Sequence, residues 1–136
     1  RTRLANQTQA DLFVSVHCNA SNYGDTTAYG MEALFSGRKE ASSEYMTSKK
    51  FSSILLDSVT EQTGKRKRGI IQRNGLYLMN HSKVPVSIIE IGYMSNRSDL
   101  RYLLKEKNQK EIARGIYEGL HNALNVISQK EGHSND

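Results

Sequence analysis

Two short apolar runs each deliver one chemically capable side chain, and together they constrain the fold more than anything else in the chain. The first is Leu12-Phe13-Val14-Ser15-Val16-His17-Cys18-Asn19-Ala20. The second is Val86-Ser87-Ile88-Ile89-Glu90-Ile91-Gly92-Tyr93-Met94-Ser95-Asn96. Each reads as a buried strand. The second is almost wholly apolar as far as Ile91, as expected for a central strand covered on both faces. In open α/β sheets, ligands and catalytic groups collect at the carboxyl ends of the strands, and His17 and Glu90 stand near those ends. A histidine and a glutamate brought there from two strands suggest a metal ligand and a general base.

The remaining pattern alternates helices with strands. Residues 1–7 look like the last turns of a helix, 21–27 like a loop, 29–35 like a second strand and 36–43 like a turn. Met46, Phe51, Ile54, Leu55 and Val59 recur at helical spacing, predicting an amphipathic helix over residues 43–63 that Gly64 ends. Residues 75–79 read as a short strand, and Pro85 suits the start of the next one. Asn96 or Ser98 can cap a short helix, and Asn108 with Glu111 resembles a capping box. Ile112, Ile116, Leu120, Ala123, Leu124 and Ile127 then form one helical stripe, followed by a polar tail expected to fray.

At 136 residues the chain suits one domain with a real core. No stretch approaches the ~18 apolar residues of a membrane span. The net charge is +5. Much of that excess is the run Lys65-Arg66-Lys67-Arg68, which reads as a solvated loop. A basic surface favours polyanions, but no aromatic residues interleave with the run, so no nucleic-acid partner is expected. Cys18 is the one cysteine, which excludes an internal disulfide and leaves secretion open.

Each chemically capable residue has a plainer reading beside it. His17 is either a zinc ligand or a histidine satisfied by backbone. Glu90 lies in a run where a carboxylate is costly unless paired, coordinated or protonated. It is either a proton-transfer group or half of a buried ion pair. Asn19 could position a metal or substrate, or cap the turn. Cys18 should point away from His17, because successive strand residues face opposite ways, so a Cys-His pair would need His81. His81 and Lys83 are groove residues or solvated loop positions. His121 and His133 have no partner that suggests a ligand.

Ser-Val-His-Cys-Asn-Ala at 15–20 and Glu-Ile-Gly-Tyr-Met-Ser-Asn at 90–96 resemble the two C-terminal signatures of the zinc-dependent N-acetylmuramoyl-L-alanine amidases, bacterial enzymes that cut peptidoglycan. The lead-in Arg1-Thr2-Arg3-Leu4-Ala5-Asn6 and the closing Ile112-Ala113-Arg114-Gly115-Ile116 match as well. The resemblance implies an α/β fold with a mostly parallel open sheet flanked by helices. It implies that residues 1–128 are the C-terminal part of one catalytic domain, with 129–136 a polar tail. The family builds its zinc site from two histidines and a glutamate, with water in the open position. His17 matches one of those histidines, and Glu90 matches the general base. The implied reaction is hydrolysis of the amide between the lactyl group of N-acetylmuramic acid and L-alanine. The implied setting is a secreted, autolysin-like hydrolase in the bacterial cell wall or periplasm.

Two departures accompany the match. Asn80 stands near the position where many members carry an arginine in the segment lining the substrate groove. No Gly-His-Gly segment is present, and no glutamate precedes His17. The family's N-terminal strand-helix-strand portion and the other zinc ligands are therefore expected outside this sequence, with that portion as a partner. The alternative is a non-catalytic fragment that binds peptidoglycan or an anionic wall polymer through its groove and basic run.

Overall fold

Val86-Ser87-Ile88-Ile89 carries apolar side chains on both faces, and the chain places this strand inside its sheet. The computed structural model describes residues 1–8 and 10–133. Its sheet has four strands, β1 (Phe13–Asn19), β2 (Met31–Phe35), β3 (Lys67–Gln72) and β4 (Val86–Tyr93), in the order β1-β4-β2-β3. β1 is parallel to β4 and β2 is parallel to β3, while β2 runs antiparallel to β4. Alternation decides which side chain goes to which face. Met31, Ala33 and Ile89 face the main core, whereas Leu34, Val86 and Ile88 face a smaller one.

Two long helices, α2 (Ser48–Thr63) and α5 (Glu106–His133), cover the first face. They contribute Phe51, Leu55, Leu56, Val59, Ile112, Ala123 and Ile127 to the main core. Three short helices complete the chain: α1 (Thr2–Gln7), α3 (Tyr77–His81) and α4 (Arg97–Leu103). α2 begins later than its apolar pattern suggests, because Thr47 Oγ1 accepts the Lys50 N–H at 3.1 Å and caps it. Gly64 ends it in a left-handed conformation, φ 65°, as expected. α5 crosses α2 where two glycines remove side chains. A Cβ at Gly115 would lie 2.8 Å from the Val59 Cα, and one at Gly119 would lie 3.0 Å from the Leu55 Cα.

Five expectations need correction. The run around His17 is not a buried strand: β1 lies at the edge of the sheet with no fully buried residue, because only one neighbouring strand covers it. The second half of the basic run is not a loop but the start of β3, an edge strand. Lys67 pairs with Asp57 and Arg68 with Glu32, so its charges are satisfied beside the strand. Residues 75–79 are not a strand, since Tyr77–His81 forms a turn of helix. Its Met79 is fully buried, and its carbonyl accepts the Ser36 hydroxyl at 2.7 Å. A segment this short carries no readable period. The capping box at Asn108 does not form: α5 begins at Glu106, and Asn108 Nδ2 donates to the Tyr102 carbonyl at 2.9 Å. The closing helix also extends to His133 rather than ending near Ile127, and residues 134–136 of the expected tail lie outside the described residues. Among the described residues, no helix is long and apolar enough to cross a membrane.

Candidate active site at the carboxyl end of the sheet

The parallel register sets Phe13 opposite Val86 and continues until His17 stands opposite Glu90. Both side chains then fall on the same face, away from α2 and α5. They line an open cavity of about 450 Å³, with Phe13, Ile88 and Leu34 as apolar floor and Arg1 and Tyr77 at the rim. The His17 ring is reached by solvent, and its Nε2 lies 2.8 Å from the Ser15 hydroxyl oxygen.

Glu90 is half-buried, and its Oε2 is fully buried with no hydrogen-bond partner among the described residues. Desolvation pushes its pKa above the usual carboxylate value. His17 nearby opposes that rise, and Glu32 adds to it. An unpartnered carboxylate oxygen beside an accessible imidazole can accept a proton or share a cation.

Glu32 is a residue that the sequence reading did not single out. It stands opposite Glu90 on β2 and is 6% exposed. Its Oε1 accepts Asn19 Nδ2 at 2.9 Å and the Tyr93 hydroxyl at 3.2 Å, and its Oε2 accepts Arg68 Nε at 2.9 Å. One buried carboxylate thus ties all four strands together beside the His17–Glu90 pair. The hydrogen bond to Glu32 raises the Arg68 pKa, and burial followed by Glu32 raises that of Tyr93, so both donors keep their protons. The cost argument that singles out Glu90 applies equally to an acid within Met31-Glu32-Ala33-Leu34-Phe35, and it would have found Glu32.

β4 makes room for this network with a bulge. After His17–Glu90 the next paired residues are Asn19 and Tyr93, two steps on one strand against three on the other. Gly92 absorbs the extra residue at φ 144°, a conformation that favours glycine. It lies within β4.

The other residues go elsewhere. Asn19 caps the turn, its Oδ1 accepting the Ala20 N–H at 2.8 Å, and holds Glu32 with its amide. Cys18 lies on the opposite face, in an apolar groove with Val16, Ile91 and Leu103. Those walls, and next Glu90, push its thiol pKa up, the reverse of what a thiolate nucleophile needs. His81 stacks on Tyr77 with ring centroids 4.0 Å apart, and its Nδ1 lies 2.9 Å from the Tyr77 carbonyl oxygen. Asn80 Oδ1 accepts the Gly75 N–H at 3.3 Å, closing a turn. The Lys83 backbone N–H donates to Asn6 at 2.9 Å. His121 lies on α5 beside Tyr117.

Among the described residues, no group of three or more His, Cys, Asp or Glu side chains converges as a metal site. His17 with the orphaned oxygen of Glu90 supplies one imidazole and one carboxylate. The imidazole fits one ligand of a catalytic zinc site, which takes three protein ligands, and the carboxylate fits a proton acceptor beside it.

The fold and the paired imidazole and carboxylate define an α/β domain with a candidate site at the carboxyl ends of two parallel strands. The sequence profile of the N-acetylmuramoyl-L-alanine amidases (Amidase_3) matches residues 1–122, and the chain belongs to that family. The germination-specific N-acetylmuramoyl-L-alanine amidase of Bacillus subtilis is 28% identical over 120 residues, covering 88% of this chain and 47% of the relative. The crystal structure of an N-acetylmuramoyl-L-alanine amidase from Clostridium difficile 630 superimposes with a TM-score of 0.80 at 28% identity, covering 91% of this chain and 63% of that one. The CwlD amidase of Clostridioides difficile, solved in complex with the GerS lipoprotein, gives 0.79 at 26% identity, covering 92% and 60%. The chain spans about half the length of the first two curated relatives it matches, 47% and 54%.

Proposed function

We propose that residues 1–128 are the C-terminal part of a peptidoglycan amidase catalytic domain. The bond cut is the amide between the lactyl group of N-acetylmuramic acid and L-alanine, and the place of action is the bacterial cell wall or periplasm. The observation that carries this reading is Glu90, whose buried, unpartnered Oε2 stands in register with His17 at the carboxyl end of two parallel strands. The family match supports the substrate class.

In this reading His17 is one zinc ligand, and the other ligands come from outside residues 1–136. When bound, zinc supplies Lewis-acid polarisation of a carbonyl and a lowered pKa for an attacking water. Glu90 takes that water's proton at its raised-affinity carboxylate and returns it to the leaving amine. Phe13 and Ile88 line the same cavity as apolar walls, and the carboxylate beside them is partly desolvated. Ser15 steadies the His17 ring. Glu32, through Asn19, Tyr93 and Arg68, fixes the strands that carry both groups.

The test is release of stem peptide from purified peptidoglycan by a protein extended upstream to relative length. Glu90→Gln should lower turnover by about a hundred- to ten-thousand-fold, the range for losing a general base. Unchanged turnover in Glu90→Gln sinks the assignment. Wall binding without metal or turnover in the extended protein would favour the non-catalytic binder instead.

A further inference from the structure

A cluster of cations lies away from His17 and Glu90. Between α4 and the start of α5 is a concave pocket of about 490 Å³ lined by Lys65, Arg97, Arg101, Lys105, Tyr102 and Asn108, with Ser98 at its edge. Four of these residues are cations and none is an acid. Arg97 and Arg101 stand four apart on α4, a spacing that sets like charges side by side, and Lys105 follows in the link to α5. None of these three forms an ion pair among the described residues. Lys65 alone is countered, by Asp99 at 3.3 Å. That carboxylate is 1% exposed, and its other oxygen accepts the N–H groups of Gly30 and Tyr93 at 2.8 and 3.0 Å. It serves the fold and leaves most of the charge in the pocket uncompensated.

The cations nearby are held in place. Lys65 Nζ lies 4.4 Å from the centre of the Tyr102 ring, and the Arg66 and Arg68 guanidinium groups lie 4.7 and 5.0 Å from the centres of Tyr29 and Tyr93. The basic run therefore does have aromatic partners, although they come from other parts of the chain and not from the run itself. Such stacking orders long side chains before any ligand arrives.

We infer that this pocket is a binding site for phosphate groups of a phosphodiester polymer that carries no bases. Guanidinium and ammonium groups converging from two chain segments suit the several oxygens of a phosphate better than a planar carboxylate, which one guanidinium fork can satisfy. The pocket is open and its charges are exposed, so affinity must come from a succession of phosphates and the counterions they release. A nucleic acid fits less well. Base stacking uses successive aromatic faces, and this wall has a single ring, one face of which already carries Lys65. The inference is independent of the amidase reading.

The test is titration of the 136-residue chain with synthetic poly(glycerol phosphate) across a range of salt. Arg97→Gln/Arg101→Gln should weaken binding by roughly tenfold or more and flatten its salt dependence by about one to two released counterions. Lys49→Gln/Lys50→Gln, an equal charge loss on exposed positions of α2, should leave binding unchanged. All four substituted residues are exposed, and far-UV circular dichroism checks that the variants fold. No polymer binding at low salt overturns the proposal, and so does equal weakening by both double variants. Polyglutamate of matched charge binding as tightly would replace phosphate recognition with generic charge. Tighter binding of duplex DNA would assign the pocket to nucleic acid.

Discussion

Glu90 has a testable property that needs no substrate. Its folded-state pKa lies above the ordinary 4.5, chiefly through desolvation. Below that ordinary value the carboxyl is neutral in both folded and unfolded chains, and its burial carries no charge penalty. As pH rises through the elevated folded value, the folded chain loses that advantage. In metal-free protein Glu90→Gln should thus be more stable than the parent at pH 7, and the gain should vanish in acid below about the ordinary carboxylate value. Urea unfolding at the two pH values measures it, and a gain of equal size at both would refute the burial argument. Glu32 gives the companion case. Glu32→Gln should cost about 1–3 kcal/mol by leaving its buried donors poorly matched. It should also lower the Glu90 pKa, because a neighbouring negative charge is removed, and carbon-detected NMR titration of the Glu90 carboxyl reads that shift. His17 and Glu90 were legible because each ends an apolar run. Glu32 was equally exposed to that argument, but its three donors come from β1, β3 and β4, and no local pattern announces them.

Among the elements, the pairing of α2 with α5 depends most on two small residues. The sequence stripe assigns Leu124 to the buried face, yet it is 41% exposed, and the actual seam runs through Ile112, Gly115, Gly119, Ala123 and Ile127. A glycine carries no hydropathy signal, so periodicity cannot see the close approach it permits. Alanine at Gly115 should raise helix propensity by about 1 kcal/mol. Its Cβ would nevertheless meet backbone of α2 at 2.8 Å. Overpacking of this kind costs about 1–3 kcal/mol, so Gly115→Ala should be destabilising in net, as a lowered urea midpoint shows. A stabilised variant would mean the helices can part without loss. β3 escaped sequence reading for the opposite reason. Its apolar content is Ile70 and Ile71 alone, and the charges beside them are neutralised by Asp57 and Glu32 from distant parts of the chain.

At the scale of the whole molecule, β1 is an edge strand, so His17 stands on the border of the sheet rather than inside it. Its neighbour Val16 is 49% exposed in the apolar groove on the opposite face. The α/β class was readable from the alternation of strand and helix patterns and from the central strand at 86–91, which is apolar on both faces. The antiparallel placement of β2 between β4 and β3 was not, since strand order depends on contacts made across the whole fold. Metal content is where these features meet. One imidazole makes a weak zinc site, and affinity rises steeply only as further ligands join it. Elemental analysis of the 136-residue chain after dialysis should therefore find zinc well below one per molecule. The upstream-extended protein should hold about one, and His17→Ala in that protein should lose most of it. Zinc at one per molecule in the short chain, removed by Glu90→Gln, would make Glu90 a ligand rather than a proton carrier. Stoichiometric zinc in the extended protein that survives His17→Ala would place the metal elsewhere and leave His17 without its proposed role.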